Sequence, residues 1–525
     1  MSNREKFIEE INRGYTFEGD TITLGAAMLD GKPVAGTVVK LPLKTLNRHG
    51  LIAGATGTGK TKSLQVIAEC LSDASVPVML MDIKGDLSGL AAPGETKDFI
   101  LQRTDAAGVS YEPTAFPVEL LSLSDEKGTR LRATVSEFGP ILLSKILGLN
   151  DTQEGILSVI FKYCDDNGLP LVDLKDFIKT IQYLGNEGKG AFQEAYGSMS
   201  SSSMGTILRK TIELQYQGGD IFFGEKSFDV DDLMRVDSSG RGYISIVRVT
   251  DLQDRPKLFS TFMLSLLAEL YQSLPEAGDE DRPKLVMIID EAHLVFKEAS
   301  KALLDQIEAV VKLIRSKGVG IYFCTQNPQD IPAAVLSQLG LKIQHALRAF
   351  TANDRKAIKL AADNYPLSDY YKTSEVLTQL GIGEALISAL NEKGIPTPLV
   401  QTYICPPRSR MDILSEKEID DVVAKSKIAV EYNEEIDRES AYEILAKKME
   451  VIAREEAETK EAKESATTAK RGRPKQEKSM MQEILGSSAA RQVGRTAATL
   501  ITRSLLGALG ISTTKRRTSK KSSWF

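Results

Sequence analysis

HGLIAGATGTGKTKSLQVIAECLSDASVPVMLMDIKGD, residues 49–86, decides the fold. A short apolar strand (Leu51, Ile52, Ala53) leads into a glycine-rich turn, then an apolar-periodic helix, then a second apolar strand, which is one βαβ unit of a parallel sheet. Gly54, Gly59, Lys60 and Thr61 have the G-x-x-x-x-G-K-[ST] spacing, and the strand before and helix after supply the context that motif requires. Glycines let the turn aim its backbone N–H groups inward around a β-phosphate, and the following helix adds its positive amino-terminal end. Gly54, Ala55, Thr56, Gly57, Thr58, Gly59, Lys60, Thr61 and Lys62 are therefore expected to line the phosphates of ATP. Lys60 would bridge the β- and γ-phosphates, and the Thr61 hydroxyl would ligate Mg²⁺.

Hydrolysis needs a carboxylate site as well. KLVMIIDEAH (284–293) provides an apolar strand ending in Asp290 and Glu291, at the carboxyl edge where parallel sheets bind ligands. Asp290 suits the Mg²⁺ shell and Glu291 the activation of water; surface capping by two adjacent acids is the alternative. The strand VGIYFCTQNP puts Gln326 at the same edge, one strand further along, as a sensor of the γ-phosphate or as a turn residue before Asn327-Pro328. Asp82, with Lys84 and Asp86, lies close by, either as polar support or as simple strand termination. Arg315 and Arg348 are the favoured candidates for an arginine finger acting on a neighbouring subunit's nucleotide, with Arg355 a third. His293 either touches the site or packs the next helix.

Strands alternating with helices through GYISIVRV, KLFSTFMLSLLAELYQSL and ASKALLDQIEAVVKLIRSKG mean a three-layer α/β core. It spans 49–95 and 241–405. A small β region (1–48) precedes it, a mostly helical insertion (96–240) interrupts it, and a charged helical segment (406–465) and a basic linker with a terminal helix (466–525) follow. The polar GSMSSSSMG (197–205) reads as a turn, a surface loop or a serine-capped helix start.

Composition sets limits. With 525 residues, 42% of them hydrophobic, the chain can bury a large core. Cys70, Cys164, Cys324 and Cys405 are scattered without a CxxC pair, so no disulfide framework or zinc knuckle is expected. No signal-like or membrane-spanning apolar run occurs, and a cytoplasmic protein is expected. The net charge of −5 conceals an asymmetry: from Lys470 to Phe525 there are 13 Lys and Arg against 2 acidic residues. An acidic body thus carries a basic tail, the pattern of a polyanion-binding arm or of a solvated extension.

GATGTGKT, MDIKGDLSG, IIDEAH and FCTQNPQDIP, together with QHALRAFT and ESAYEIL, resemble the YjgR-type bacterial proteins, a branch of the HerA/FtsK superfamily of P-loop ATPases. The resemblance covers most of the chain, and its TQNP and HALRAFT stretches are more specific than the phosphate-loop motifs. It implies a RecA-like core of the additional-strand, conserved-glutamate type, assembled as a homo-oligomeric ring, usually a hexamer, with ATP between neighbours. It also implies phosphate, metal, base and sensor roles for Lys60, Thr61, Asp290, Glu291 and Gln326. Better-known relatives pump or unwind double-stranded DNA. The amino-terminal β region is short beside the barrel of HerA and the insertion is long, so a partner docking on that barrel does not carry over.

Two readings follow: a DNA translocase or helicase-like motor, or an ATP-dependent regulatory or scaffolding switch acting on protein partners. KRGRPK (470–475) resembles a minor-groove AT-hook core and equally reads as a basic linker. The segment MMQEILGSSAARQVGRTAATLITRSLLGALG has apolar residues at helical spacing and is read first as subunit packing.

Overall fold

The computed structural model describes residues 2–124, 126–250, 255–278, 280–296, 301–436 and 438–468. KRGRPK and the apolar segment after it lie outside the described residues.

Twelve strands form one sheet: β1 (Thr21–Leu29), β2 (Lys32–Pro42), β3 (Gly50–Ala53), β4 (Val78–Asp82), β5 (Val118–Ser122), β6 (Thr129–Arg130), β7 (Ile244–Arg248), β8 (Leu285–Ile289), β9 (Val319–Thr325), β10 (Leu341–Gln344), β11 (Glu384–Ser388) and β12 (Val400–Ile404). Their order is β2-β1-β12-β11-β10-β3-β9-β8-β4-β7-β5-β6. From β10 to β6 all pairings are parallel, and from β10 outward through β11, β12, β1 and β2 they are antiparallel. The chain is thus a three-layer α/β protein built on a mainly parallel sheet.

Two expectations need correction. The amino-terminal strands are no separate unit: β1 pairs with β12 and β2 with β1, so they form the outer wing of the main sheet. The region 96–240 contributes β5 and β6 to the same sheet, β5 pairing in parallel with β7 and β6 with β5, and apart from helix Asp98–Ala107 its helices begin only at Val135. Both differences have one cause: which strand a short apolar run pairs with is a long-range matter that its own residues do not carry.

Period-two alternation sorts the core strands between two apolar layers. Ile52, Leu80, Ile288 and Tyr322 face Leu64, Ile67 and Leu71 of the phosphate-loop helix (Lys60–Asp73) and Phe7 and Ile11 of the first helix (Asn3–Gly14). Met79, Met287, Ile289 and Phe323 face Met263 and Leu267 of helix Pro256–Ser273 and Ile307 and Val311 of helix Lys301–Ile314. Each such side chain contributes about 1.5–3 kcal/mol by leaving water. Together they fix the height of the carboxyl edge.

The helical body continues the second layer. Its helices start at side-chain caps, Thr134 with Glu137, Asn150 with Gln153 and Asp173 with Asp176, which satisfy amide groups the first turn leaves unpaired. Ser200 caps Ser201–Leu214, so the polar stretch 197–205 is a capped helix start. Asp176 has a second task. Besides the N–H groups of Val172 (2.8 Å) and Asp173 (3.2 Å), it accepts from the Ser440 hydroxyl (2.5 Å) and the Tyr442 N–H (2.8 Å), which binds the start of the last helix, Ala441–Thr468, onto the body. Asp176→Ala would leave three part-buried amide groups without this acceptor, while the Ser440 hydroxyl keeps Glu443 Oε2 (2.5 Å), and is expected to destabilise this junction by about 3 kcal/mol. Limited proteolysis should then cut ahead of Ala441 sooner than in the wild type; equal protection would refute the anchoring role.

No helix among the described residues is long and apolar enough to cross a membrane.

Candidate nucleotide site at the carboxyl edge

Register brings the motifs together. Ala53 of β3 is level with Thr325 of β9 and with Gln344 of β10, and Ile289 of β8 with Phe323 of β9 and Met81 of β4. The residues that follow, Gly54, Gln326, His345, Asp290, Glu291 and Asp82, therefore emerge on one edge. β9 lies beside β8, one strand along, and its other neighbour is β3, which places Gln326 between the phosphate loop and the two acids.

Gly57 and Gly59 hold φ of 77° and 102°, backbone open to glycine and strained for other residues. Neighbouring strands hold the loop: the N–H of Gly54 donates to Thr325 O (3.2 Å) and that of Ala55 to Ala346 O (2.8 Å). Thr58 Oγ1 donates to Ala55 O (2.7 Å) and Lys60 Nζ to Gly54 O (2.6 Å) and Ala55 O (3.2 Å), which sets the ammonium inside the loop's curve. Burial lowers the pKa of Lys60. Lys62 does not join the site through its side chain: Nζ donates to Met411 O (2.5 Å).

Thr61 Oγ1 donates to Asp86 Oδ2 at 3.3 Å. Asp82 is buried and accepts the N–H groups of Gly85 (2.7 Å), Asp86 (3.1 Å) and Leu87 (3.0 Å), so it shapes the loop after β4; burial raises its pKa to about 6. That loop carries Lys84 across the end of β8, where Nζ contacts Glu291 Oε1 and lies 3.9 Å from Asp290 Oδ2. Gln326 Nε2 is 3.5 Å from Glu291 Oε1, and His293 Nδ1 is 3.3 Å from Glu291 Oε2. Burial would raise the Glu291 pKa, but Lys84, aided by Gln326 and His293, more than offsets it and the net shift is downward. Asp290 shifts upward through burial despite Lys84.

Two of these residues escaped the sequence reading in their roles. Lys84 was visible only as a neighbour of Asp82. His345 is fully buried under the phosphate loop, with Nε2 at 3.0 Å from Ser63 Oγ, and burial with the charge of Lys60 lowers its pKa to about 4. Its position at the end of a strand in QHALRAFT is the signal that could have found it. The arginines separate. Arg348 is exposed just past β10 on the phosphate-loop side, with Nη1 at 3.4 Å from Thr378 O. Arg315 precedes β9 and so stands at the opposite, amino edge of the sheet. Arg355 lies in helix Ala352–Asp363.

The donor set fits a nucleotide with Mg²⁺. Asp290 Oδ2, Glu291 Oε2 and Asp86 Oδ1 are buried oxygens without a hydrogen-bond partner, and the other oxygen of Asp86 accepts from the Thr61 hydroxyl. Among the described residues no cluster of three His, Cys, Asp or Glu forms a protein-only metal cage.

The family model "Helicase HerA-like C-terminal" matches residues 28–516. The chain belongs to this HerA-like family. The DNA double-strand break repair helicase HerA of Saccharolobus solfataricus is 24% identical over 390 residues, covering 73% of this chain and 69% of that protein. The DNA import protein CedB of Sulfolobus acidocaldarius is 25% identical over 405 residues, covering 74% of this chain and 56% of that protein. The solved VirB4 of Thermoanaerobacter pseudethanolicus aligns over 74% of this chain and 96% of its own at 16% identity, with a TM-score of 0.48.

Proposed function

We propose that this HerA-like chain hydrolyses ATP with Mg²⁺ and uses the cycle to move along double-stranded DNA as a homo-oligomeric ring, with six subunits as the expected number. The observation that carries the hydrolytic part is the convergence of Lys60, Thr61, Asp290, Glu291 and Gln326 on one sheet edge. Bound Mg²⁺-ATP would supply the phosphoanhydride and the metal that offsets its charge. The loop's N–H groups and Lys60 bind the phosphates, and Thr61 with Asp290 holds the metal. Glu291 Oε2, buried and without a hydrogen-bond partner, is the atom that takes the proton of the attacking water. Gln326 orients that water or senses the γ-phosphate. An arginine from a neighbouring copy completes the charge balance, and Arg348 is the better candidate because it is exposed on the phosphate-loop side.

The DNA part is supported by what the relatives are named for, helicase and DNA import. It is tested by ATP turnover with and without long duplex DNA at low and physiological salt. A motor should be stimulated by DNA, and the stimulation should fade as salt screens phosphate contacts. Turnover indifferent to DNA at both salts would leave the switch reading, with protein partners as the next search.

A further inference from the structure

Glu291 is a non-glycine residue at φ 46°, a left-handed conformation that persists only where its surroundings enforce it. It also sits beside Asp290, a second buried carboxylate, so repulsion acts to drive the two apart. Some group must hold it. Lys60 cannot, because its ammonium is turned to the carbonyls of Gly54 and Ala55. Gln326 approaches only to 3.5 Å, and His293, 3.3 Å from Oε2, leaves that oxygen without a hydrogen bond. Lys84 makes the direct contact, on Oε1.

The origin of Lys84 matters as much as its contact. It comes from the loop after β4, on the far side of β8 from the phosphate loop, and Asp82 ties that loop down through three N–H groups. Gly85, at φ 74°, closes the turn. An ammonium delivered from a fixed loop pins one carboxylate oxygen and leaves the other turned to the site. From the Lys84–Glu291 contact, the left-handed backbone at Glu291 and an Oε2 that accepts no hydrogen bond, we infer that Lys84 is a positioning residue for the hydrolytic base. It anchors Oε1 so that Oε2 is presented to the attacking water. This rests on the reading of Glu291 as that base.

The test uses the full chain and compares wild type, Lys84→Met, Lys84→Arg, Glu291→Gln and the Lys84→Met/Glu291→Gln double variant. Steady-state ATP hydrolysis gives kcat and KM, and calorimetric titration with Mg²⁺-ADP gives binding. Lys84→Met is expected to lower kcat about 10- to 100-fold, the range for loss of a supporting partner, while KM and ADP affinity stay at wild-type values. Lys84→Arg should recover most of the rate. In the double variant Lys84→Met should add nothing to Glu291→Gln, since the residue acts through the one already disabled. Wild-type turnover in Lys84→Met would overturn the inference. So would a parallel loss of ADP affinity and melting temperature, which marks a merely structural lysine, or an undiminished further drop in the double variant. Full hydrolysis by Glu291→Gln would overturn the assignment of the base itself, and that result is read without any Lys84 variant.

Discussion

Glu291→Gln is expected to bind Mg²⁺-nucleotide as tightly as the wild type and to hydrolyse ATP at least about 100-fold more slowly, the contribution typical of a positioned general base. The amide has the shape of the carboxylate and can still accept at the oxygen facing Lys84, so the loop after β4 and the phosphate loop should keep their places. What disappears is the proton acceptor. Substitution also removes the negative charge that Lys84 favours in the fold, so melting temperature is expected to fall slightly while binding is kept. Single-turnover hydrolysis with binding measured on the same preparation checks both halves. A rate within a few-fold of wild type would move the base elsewhere on the edge.

Gly59→Val is expected to weaken nucleotide binding about 100-fold while leaving the sheet folded. At φ 102° a branched side chain is strained, and a Cβ there would approach the N and Cα of Gly383 at 2.9 and 3.1 Å. Gly383 cannot move aside, because its N–H donates to Thr58 O (2.9 Å) and Arg103 grips its carbonyl and, at 2.7 Å, that of Ile404. The loop must yield instead. A distortion of about 3 kcal/mol would weaken binding about 100-fold. Gly57→Ala makes the contrast: a Cβ there meets nothing within 4 Å, so only the backbone conformation is taxed and the loss should be smaller. Mg²⁺-ADP titration of the two variants measures the difference; equal losses would mean that Gly383 does not brace the loop.

Much of this site was legible because its signals are local. The strand, glycine turn and lysine of 49–86 specify their own geometry, and the apolar run ending in Asp290 and Glu291 announces a strand end at the ligand edge. Pairing order was not legible. Chain order gave β9 as the strand beside β8 but not its pairing with β3 on the other side, and β1 revealed nothing of β12 as its partner. The role of Lys84 was not legible for a related reason: its target follows another strand, and the loop that aims it depends on three hydrogen bonds to Asp82. The edge occupied by Arg315 was in fact available, since a helix leading into a parallel strand must end at the amino edge.

The two outermost strands bear on assembly. β6 has two residues, and the Arg130 N–H beside it is already taken by Asn433 Oδ1 at 2.9 Å. β2 carries Lys32, Pro33, Lys40 and Pro42, with Gly36 at φ 81° interrupting its extended run. Lysines, prolines and a kink are what natural proteins use to deny a new strand its template. In the proposed ring, neighbouring copies would thus be kept from zipping their backbones together. They would meet through side chains and loops, contacts that can be broken and remade at every turnover without unravelling a ladder.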